Sequence, residues 1–268
     1  MRVVAAVIAL LLGPPAADSP LPHGPEALAG RLADTQRALD WSVEDWRRNG
    51  DPARGAPPEE VTLFALDQQR IHILLSERPR LAREVLERLP GRIAAHARAS
   101  VRARRMLGRL STPQKLSRFR TGAPRPAGQL RAFYREAQRR FAVRWPVLAA
   151  VNLVESAFGR MRNTSTAGAQ GPMQFIPQTW AAYGMGGNIR DPRDAILGAA
   201  NYLHANGAPR DDPAALYRYN PSSDYVNAVL EYANRIRRDP RYFYEYYAWQ
   251  VFVRTPSGTK RITGPGRS

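Results

Sequence analysis

No cysteine occurs anywhere in the 268 residues. That absence excludes a thiol nucleophile, cysteine-ligated zinc, an iron–sulfur cluster and a disulfide framework. Histidine is scarce: His23, His72, His96 and His204 are scattered without metal-ligand spacing, so no metal site is expected. Neither a G-x-x-x-x-G-K-S/T nor a G-x-G-x-x-G loop is present, which leaves nucleotide chemistry and a bound cofactor without support. Lysine is nearly missing as well, with only Lys115 and Lys260 among 40 basic residues. The remainder are arginines, and against 23 acids they give a net charge of +17, a surface that favours polyanions. Apolar runs are short, and none reaches the roughly 20 residues of a permanent membrane span.

The longest such run, Val3 to Leu12, follows Met1-Arg2 and precedes Gly13-Pro14-Pro15-Ala16-Ala17. This is the layout of a secretory signal peptide over residues 1–17, with cleavage expected near Ala16 or Ala17. A buried N-terminal helix is the competing reading, but with no polar face it would need covering on every side. The expected location is therefore outside the cytoplasm: periplasm, cell wall or medium. Without cysteine, no lipid anchor is expected on the mature N-terminus.

Residues 20–110 read as a helical N-terminal region. Leu28, Leu32, Leu39, Val43 and Trp46 recur at helical spacing until Asn49-Gly50-Asp51-Pro52 stops them. Val61, Phe64, Ile71, Leu74 and Leu75 mark a second helix ended by Pro79; a third spans Leu81 to Leu89 and closes at Pro90-Gly91. A fourth carries Ile93, Ala97 and Val101 on one side and Arg98, Arg102, Arg105 and Arg109 on another. Those arginines share a face, readable as an anion-binding stripe or as a plain solvated surface. Residues 111–128, with three prolines and two glycines, are the linker candidate. Residues 21–145 hold 25 basic and 13 acidic side chains, whereas 146–268 hold 14 and 9, so the charge is concentrated in the first half.

After the linker, Leu130, Phe133, Tyr134, Ala137 and Phe141 form another stripe. Trp145-Pro146 then opens a helix that is apolar nearly all round, with Gly159 as its expected exit. Its one acid is Glu155. A carboxylate there is costly unless paired or functional. It reads either as a core glutamate bridged to Arg160 or Arg162, or as a general acid whose pKa is raised by Leu153, Val154, Ala157 and Phe158.

Further motifs bear on that choice. They are Glu155-Ser156, then Gly171-Pro172-Met173-Gln174-Phe175-Ile176-Pro177, then Asp191-Pro192-Arg193-Asp194-Ala195-Ile196, and finally Tyr219-Asn220. In this order and spacing they closely resemble the catalytic domain of lytic transglycosylases, most like the membrane-bound B type and its actinobacterial secreted relatives. The resemblance covers residues 129–245. It implies a mainly α protein, with a lysozyme-like helical catalytic domain after the N-terminal region. It also implies cleavage between N-acetylmuramic acid and N-acetylglucosamine in peptidoglycan, with a 1,6-anhydro product. Glu155 stands where the family has its single acid/base. Ser156, Ser165 and Gln174 match substrate-binding positions, and Met173 and Phe175 would wall the sugar subsites or serve the core. Tyr219 and Asn220 match a late pair lining the cleft. Gly168 and Gly171 are expected to let a loop approach the substrate.

The loop Tyr183 to Asn188 lacks the alternating acids of a calcium site, so no metal is expected there either. Residues 246–268 read as a tail dense in aromatics followed by a small hairpin, Val251–Thr255 against Thr259–Thr263. Peptidoglycan glycan strands are the expected partner, with anionic wall polymers offered Arg98, Arg102, Arg105 and Arg109. Nucleic acid is not expected, since no recognised binding motif accompanies the charge. A hydrolytic muramidase and a non-catalytic wall-binding protein are the alternatives; a buried acid argues against the second.

Overall fold

A computed structural model describes residues 13–267. The apolar run of the expected signal peptide lies outside the described residues. Eleven helices account for most of the rest, with one two-stranded sheet at the end. They are α1 (Pro25–Asn49), α2 (Glu59–Glu77), α3 (Pro79–Arg88), α4 (Gly91–Leu110), α5 (Ala127–Phe141) and α6 (Trp145–Ser156). Then follow α7 (Pro177–Tyr183), α8 (Pro192–Ala205), α9 (Asp212–Tyr219), α10 (Ser223–Arg238) and α11 (Arg241–Ala248). Strands β1 (Phe252–Thr255) and β2 (Gly258–Arg261) pair antiparallel, with Phe252 opposite Arg261 and Thr255 opposite Gly258. Gly258 takes φ +103° at the turn, a conformation glycine adopts at little cost. Among the described residues no helix is long and apolar enough to cross a membrane.

The apolar stripes point inward as their spacing predicts. Leu28, Leu32, Ile71, Leu75, Val85, Ile93 and Val101 form one core between α1 and α4. A second, larger core crosses the molecule, joining Leu39, Val43, Trp46 and Phe64 to Leu148, Val151, Phe158, Phe243 and Tyr247. The N-terminal helices and the residues after 129 therefore share a core. Helix α11 supplies much of it: Tyr242, Phe243, Tyr244, Tyr246 and Tyr247 are all buried. These aromatics tie the end of the chain down by packing.

The segment before α5 is fastened at several points. Gln114 N donates to Arg254 O (3.0 Å), and Thr121 pairs with Met161 in an isolated bridge. The arginine face of α4 is likewise engaged within the chain. Arg102 pairs with Glu231 (2.7 Å) and Arg109 with Asp224 (2.5 Å), both on α10. Arg105 donates to the carbonyls of Leu75 and Ser76 at the end of α2, and Arg98 to Leu86 O. Arg98, Arg102 and Arg109 stay exposed, so the face is solvated as one of the two readings expects, but it carries ion pairs and carbonyl contacts within the chain. The i, i+7 spacing that aligns Arg102 with Arg109 also aligns both with acids seven residues apart on the antiparallel neighbour.

Candidate active site

Helix α6 places the site. Pro146 occupies its first turn, where a missing N–H costs nothing, and residues Pro146 to Asn152 are buried. The helix ends at Ser156, three residues before the glycine expected to close it. Ala157, Phe158 and Gly159 then follow one another in the left-handed region (φ 50°, 61° and 82°). Such a run is unfavourable for non-glycine residues and needs local compensation. Part of that comes from Ser156, whose Oγ accepts Gly159 N (2.8 Å) and Asn152 Nδ2 (3.2 Å) and donates to Pro172 O (2.5 Å). A serine hydroxyl has one donor and two acceptor sites. All three are used, at 1 % exposure, so Ser156 fixes the loop after Gly171 to the end of α6 and has nothing left for substrate. Asn152 reinforces the clamp, donating to Pro172 O (2.8 Å) and accepting from Tyr134 OH (2.6 Å).

Glu155 emerges half-buried from this rigid end. Burial raises its pKa to about 7, against the opposing effect of one hydrogen bond from the Tyr225 hydroxyl to its Oε1 (2.6 Å). The salt-bridge reading fails: Arg160 donates to Ala157 O and Tyr247 O, and Arg162 to Ala123 O. Glu155 lines a cavity of about 1430 Å³ together with Leu153, Val154, Thr166, Asn220 and Tyr225. The opposite lining comes from outside residues 129–245: the end of α4, the segment around Phe119, and the hairpin at Phe252 and Arg254. One other acid lines it, Glu77, which accepts a hydrogen bond from Thr259 Oγ1 (2.9 Å).

The expected site residues divide. Glu155, Ser156 and Asn220 meet at the cavity; Ser165, Met173, Gln174, Phe175 and Tyr219 do not line it. Met173 is fully buried and Phe175 nearly so, its ring edge-on to Trp180 (5.3 Å) and Tyr219 (5.6 Å), so both serve the core. Tyr219 stands behind them, donating to Met173 O (2.6 Å). Gln174, at φ 49°, donates to the carbonyls of Gly171 (2.9 Å) and Asn163 (3.3 Å). Ser165 closes its own loop by accepting Ala169 N (3.0 Å), which leaves its neighbour Thr166 facing the cavity. Gly171 is required by close approach, but to the chain itself: a Cβ there would meet Ile189 O at 1.9 Å. Asp191 caps α8 and Asp194 accepts Asn188 N (2.8 Å); neither is beside Glu155 in the cavity.

Tyr225 is the residue that sequence reasoning missed. It belongs to the apolar stripe of α10 with Val226, Val229, Tyr232 and Ile236 and reads there as one more core tyrosine. The only local cue is Ser222, which caps α10 by accepting Tyr225 N (3.3 Å) and so sets the phenol in the first turn, at the level of α6's end.

No curated protein and no solved structure matches the chain. Residues 132–238 match the family described as Transglycosylase SLT domain, a stretch that contains α6, Glu155, Tyr219 and Tyr225. The segment that carries Glu155 and Tyr225, residues 132–238 of the 268, is thus similar to a transglycosylase SLT domain.

Proposed function

We propose that the protein is a lytic transglycosylase that cleaves the β-1,4 bond between N-acetylmuramic acid and N-acetylglucosamine, with Glu155 as sole acid and base. The observation that carries this is Glu155, a half-buried carboxylate whose pKa burial raises to about 7, lining a cavity of about 1430 Å³. A general acid is most effective when its pKa lies near the working pH. Tyr225 holds Oε1, so the proton of the neutral acid resides on Oε2, aimed away from the phenol. That proton passes to the glycosidic oxygen as the C1–O bond breaks. The resulting carboxylate then takes the proton of the muramic acid C6 hydroxyl as that oxygen closes on C1, which regenerates the acid and yields the 1,6-anhydro sugar without water. Tyr225 keeps its hydrogen bond through both halves and stabilises the charged intermediate form of Glu155.

Hydrolytic glycosidases pair two carboxylates across the scissile bond, one to activate water or act as nucleophile. The other acid of this cavity, Glu77, sits at the end of α2 in a bond to Thr259, while Asp191 caps α8 and the Asp194 carboxylate accepts Asn188 N. This favours the intramolecular hydroxyl over a muramidase. Export to the wall accords with the substrate. The arginine face of α4 is not assigned to anionic polymers, because its partners lie within the chain. The test is digestion of purified peptidoglycan by the full chain and by Glu155→Gln, with muropeptides identified by mass. Anhydro-muramyl products that vanish in the variant are expected. Reducing muramyl ends would convert the reading to a hydrolase, and binding without products to a lectin.

A further inference from the structure

Next to the Glu155 cavity, with Met161 lining both, lies a second cavity of about 570 Å³. Four arginines line it: Arg118 and Arg120 before α5, Arg162 after α6, and Arg190 ahead of α8. Ser117, Asn163, Thr164 and Gln170 supply the neutral polar lining, and no carboxylate contributes. Some exposed arginines elsewhere are paired within the chain, as Arg102 is with Glu231, Arg109 with Asp224 and Arg193 with Glu136; what sets these four apart is that they line one cavity together. None of these four has such a partner among the described residues. Asp191, the acid next in sequence to Arg190, is engaged by the backbone of Arg193 and Asp194.

The cluster is built from the backbone outward. Asn163 accepts Arg120 N (2.8 Å) and donates to Arg118 O, while Arg162 N donates to Arg120 O (2.9 Å). The guanidinium groups of Arg118 and Arg120 make no hydrogen bond or ion pair among the described residues. Arg162 and Arg190 are each tethered by one bond, to Ala123 O (2.7 Å) and Gln170 Oε1 (3.0 Å), with further N–H donors to spare. A concave site lined by one sign of charge focuses its field on an incoming counter-charge. The guanidinium fork matches carboxylate and phosphate oxygens in pairs. Four forks call for a ligand with more than one anionic group.

The geometry points to a binding site for wall oxyanions beside the cleavage site, filled by the carboxylates of acidic stem peptides on the glycan strand that Glu155 cleaves. The inference rests on the peptidoglycan reading above. Phosphodiester polymers attached to the same wall carry the same chemistry, and the experiment separates the two sources.

The full chain bearing Glu155→Gln, which leaves the wall uncut, is sedimented with purified walls at about 0.15 M salt, where only short-range charge contacts survive screening. Arg118→Gln with Arg120→Gln is compared with Arg80→Gln with Arg83→Gln, two exposed arginines on α3 whose loss changes net charge equally. Thermal unfolding verifies that both pairs remain folded. Retention on stem-bearing, polymer-free peptidoglycan is expected to fall about tenfold for the first pair and less than about twofold for the second. On glycan strands stripped of stems the two pairs should behave alike. A loss confined to walls that still carry phosphodiesters assigns the cavity to phosphate. Equal loss in both pairs, loss on the stripped strands, or unchanged retention on every wall overturns the proposal. Because no turnover is read, a failure of the wild type to release anhydro products would sink the transglycosylase reading without altering this result.

Discussion

Two glutamates stand on buried helices of this molecule, Glu155 on α6 and Glu245 on α11, and burial raises both, to about 7 and about 8. Glu245 is completely enclosed. It accepts hydrogen bonds from Gln36 Nε2 (3.2 and 3.1 Å) and Gln68 Nε2 (3.0 Å), and Gln36 also binds Asp40 (2.9 Å). His96, 3.5 Å away, adds no charge, since burial drives its pKa well below the ordinary value. Glu245 thus ties the aromatic tail to α1 and α2, with every side of its carboxylate occupied by protein. Glu155 has one partner, Tyr225, and a face left open to a cavity. A raised pKa marks both acids alike. What separates the proposed catalytic acid from the structural one is the unfilled side of its carboxylate.

The sharpest test of that contrast is to neutralise each acid in turn. Glu155→Gln should reduce release of anhydro-muropeptides by about 10²–10⁴-fold, the range for removal of a general acid. Glu245→Gln should keep activity within about twofold. Loss of activity in a folded Glu245→Gln protein would erase the distinction. Truncation reverses the order of effects. Glu245→Ala leaves the Gln36 and Gln68 amides buried without an acceptor and should cost about 2–3 kcal/mol in urea unfolding, whereas Glu155→Ala should cost little.

Tyr225→Phe should lower kcat about tenfold while KM holds. It should also move the alkaline limb of the pH–rate profile upward, because the hydrogen bond that opposes the raised pKa of Glu155 is gone. An unshifted limb would mean that Tyr225 only packs. Stability offers a milder probe of the same pair. Both acids have folded pKa values above the ordinary value near 4.5, so between that value and about 7 to 8 the folded state holds more protons than the unfolded one. Stability is then greatest at the acid end of this window, falls as pH rises through it, and levels off above about 8. Urea midpoints from pH 5 to 9 should show that slope, with Glu245→Gln flattening its upper part. The smallest effect is expected on α4: Arg102→Gln with Arg109→Gln removes two exposed ion pairs, which solvent and salt screen, and should leave the urea midpoint nearly unchanged. Loss of wall retention beyond that of the Arg80 and Arg83 pair would restore the anion stripe.

Much of this was legible before any coordinates. The stripe from Leu28 to Trp46 is buried along its length, and Val61, Phe64, Ile71 and Leu75 likewise, because helical periodicity encodes a face. The hairpin forms where it was read, with a shorter turn at Pro256-Ser257 and Gly258 already paired to Thr255. Glu155 stood out as the one charge on an apolar helix. Ser156, Met173 and Phe175 were harder, since a motif preserves residue types without saying whether they face ligand or core. All three are buried, and they hold the loop and helix that present Glu155. Tyr225 carried no mark that separates it from Tyr232, two turns further along α10.

The sequence by itself determined the helical class, the run of elements, the positive charge and the lone acid on an apolar helix, because each rests on local spacing or on composition. Only the tertiary structure decided which tyrosine touches that acid and which elements close the cavity above it. It also decided which arginines stay without a partner. Arg102 and Arg109 look like Arg118 and Arg120 in one dimension; the first two meet acids of α10 and the second two meet a cavity. That difference arises between segments more than a hundred residues apart in the case of α4 and α10, where a carboxylate is either present or absent across the interface, and no local pattern can record it.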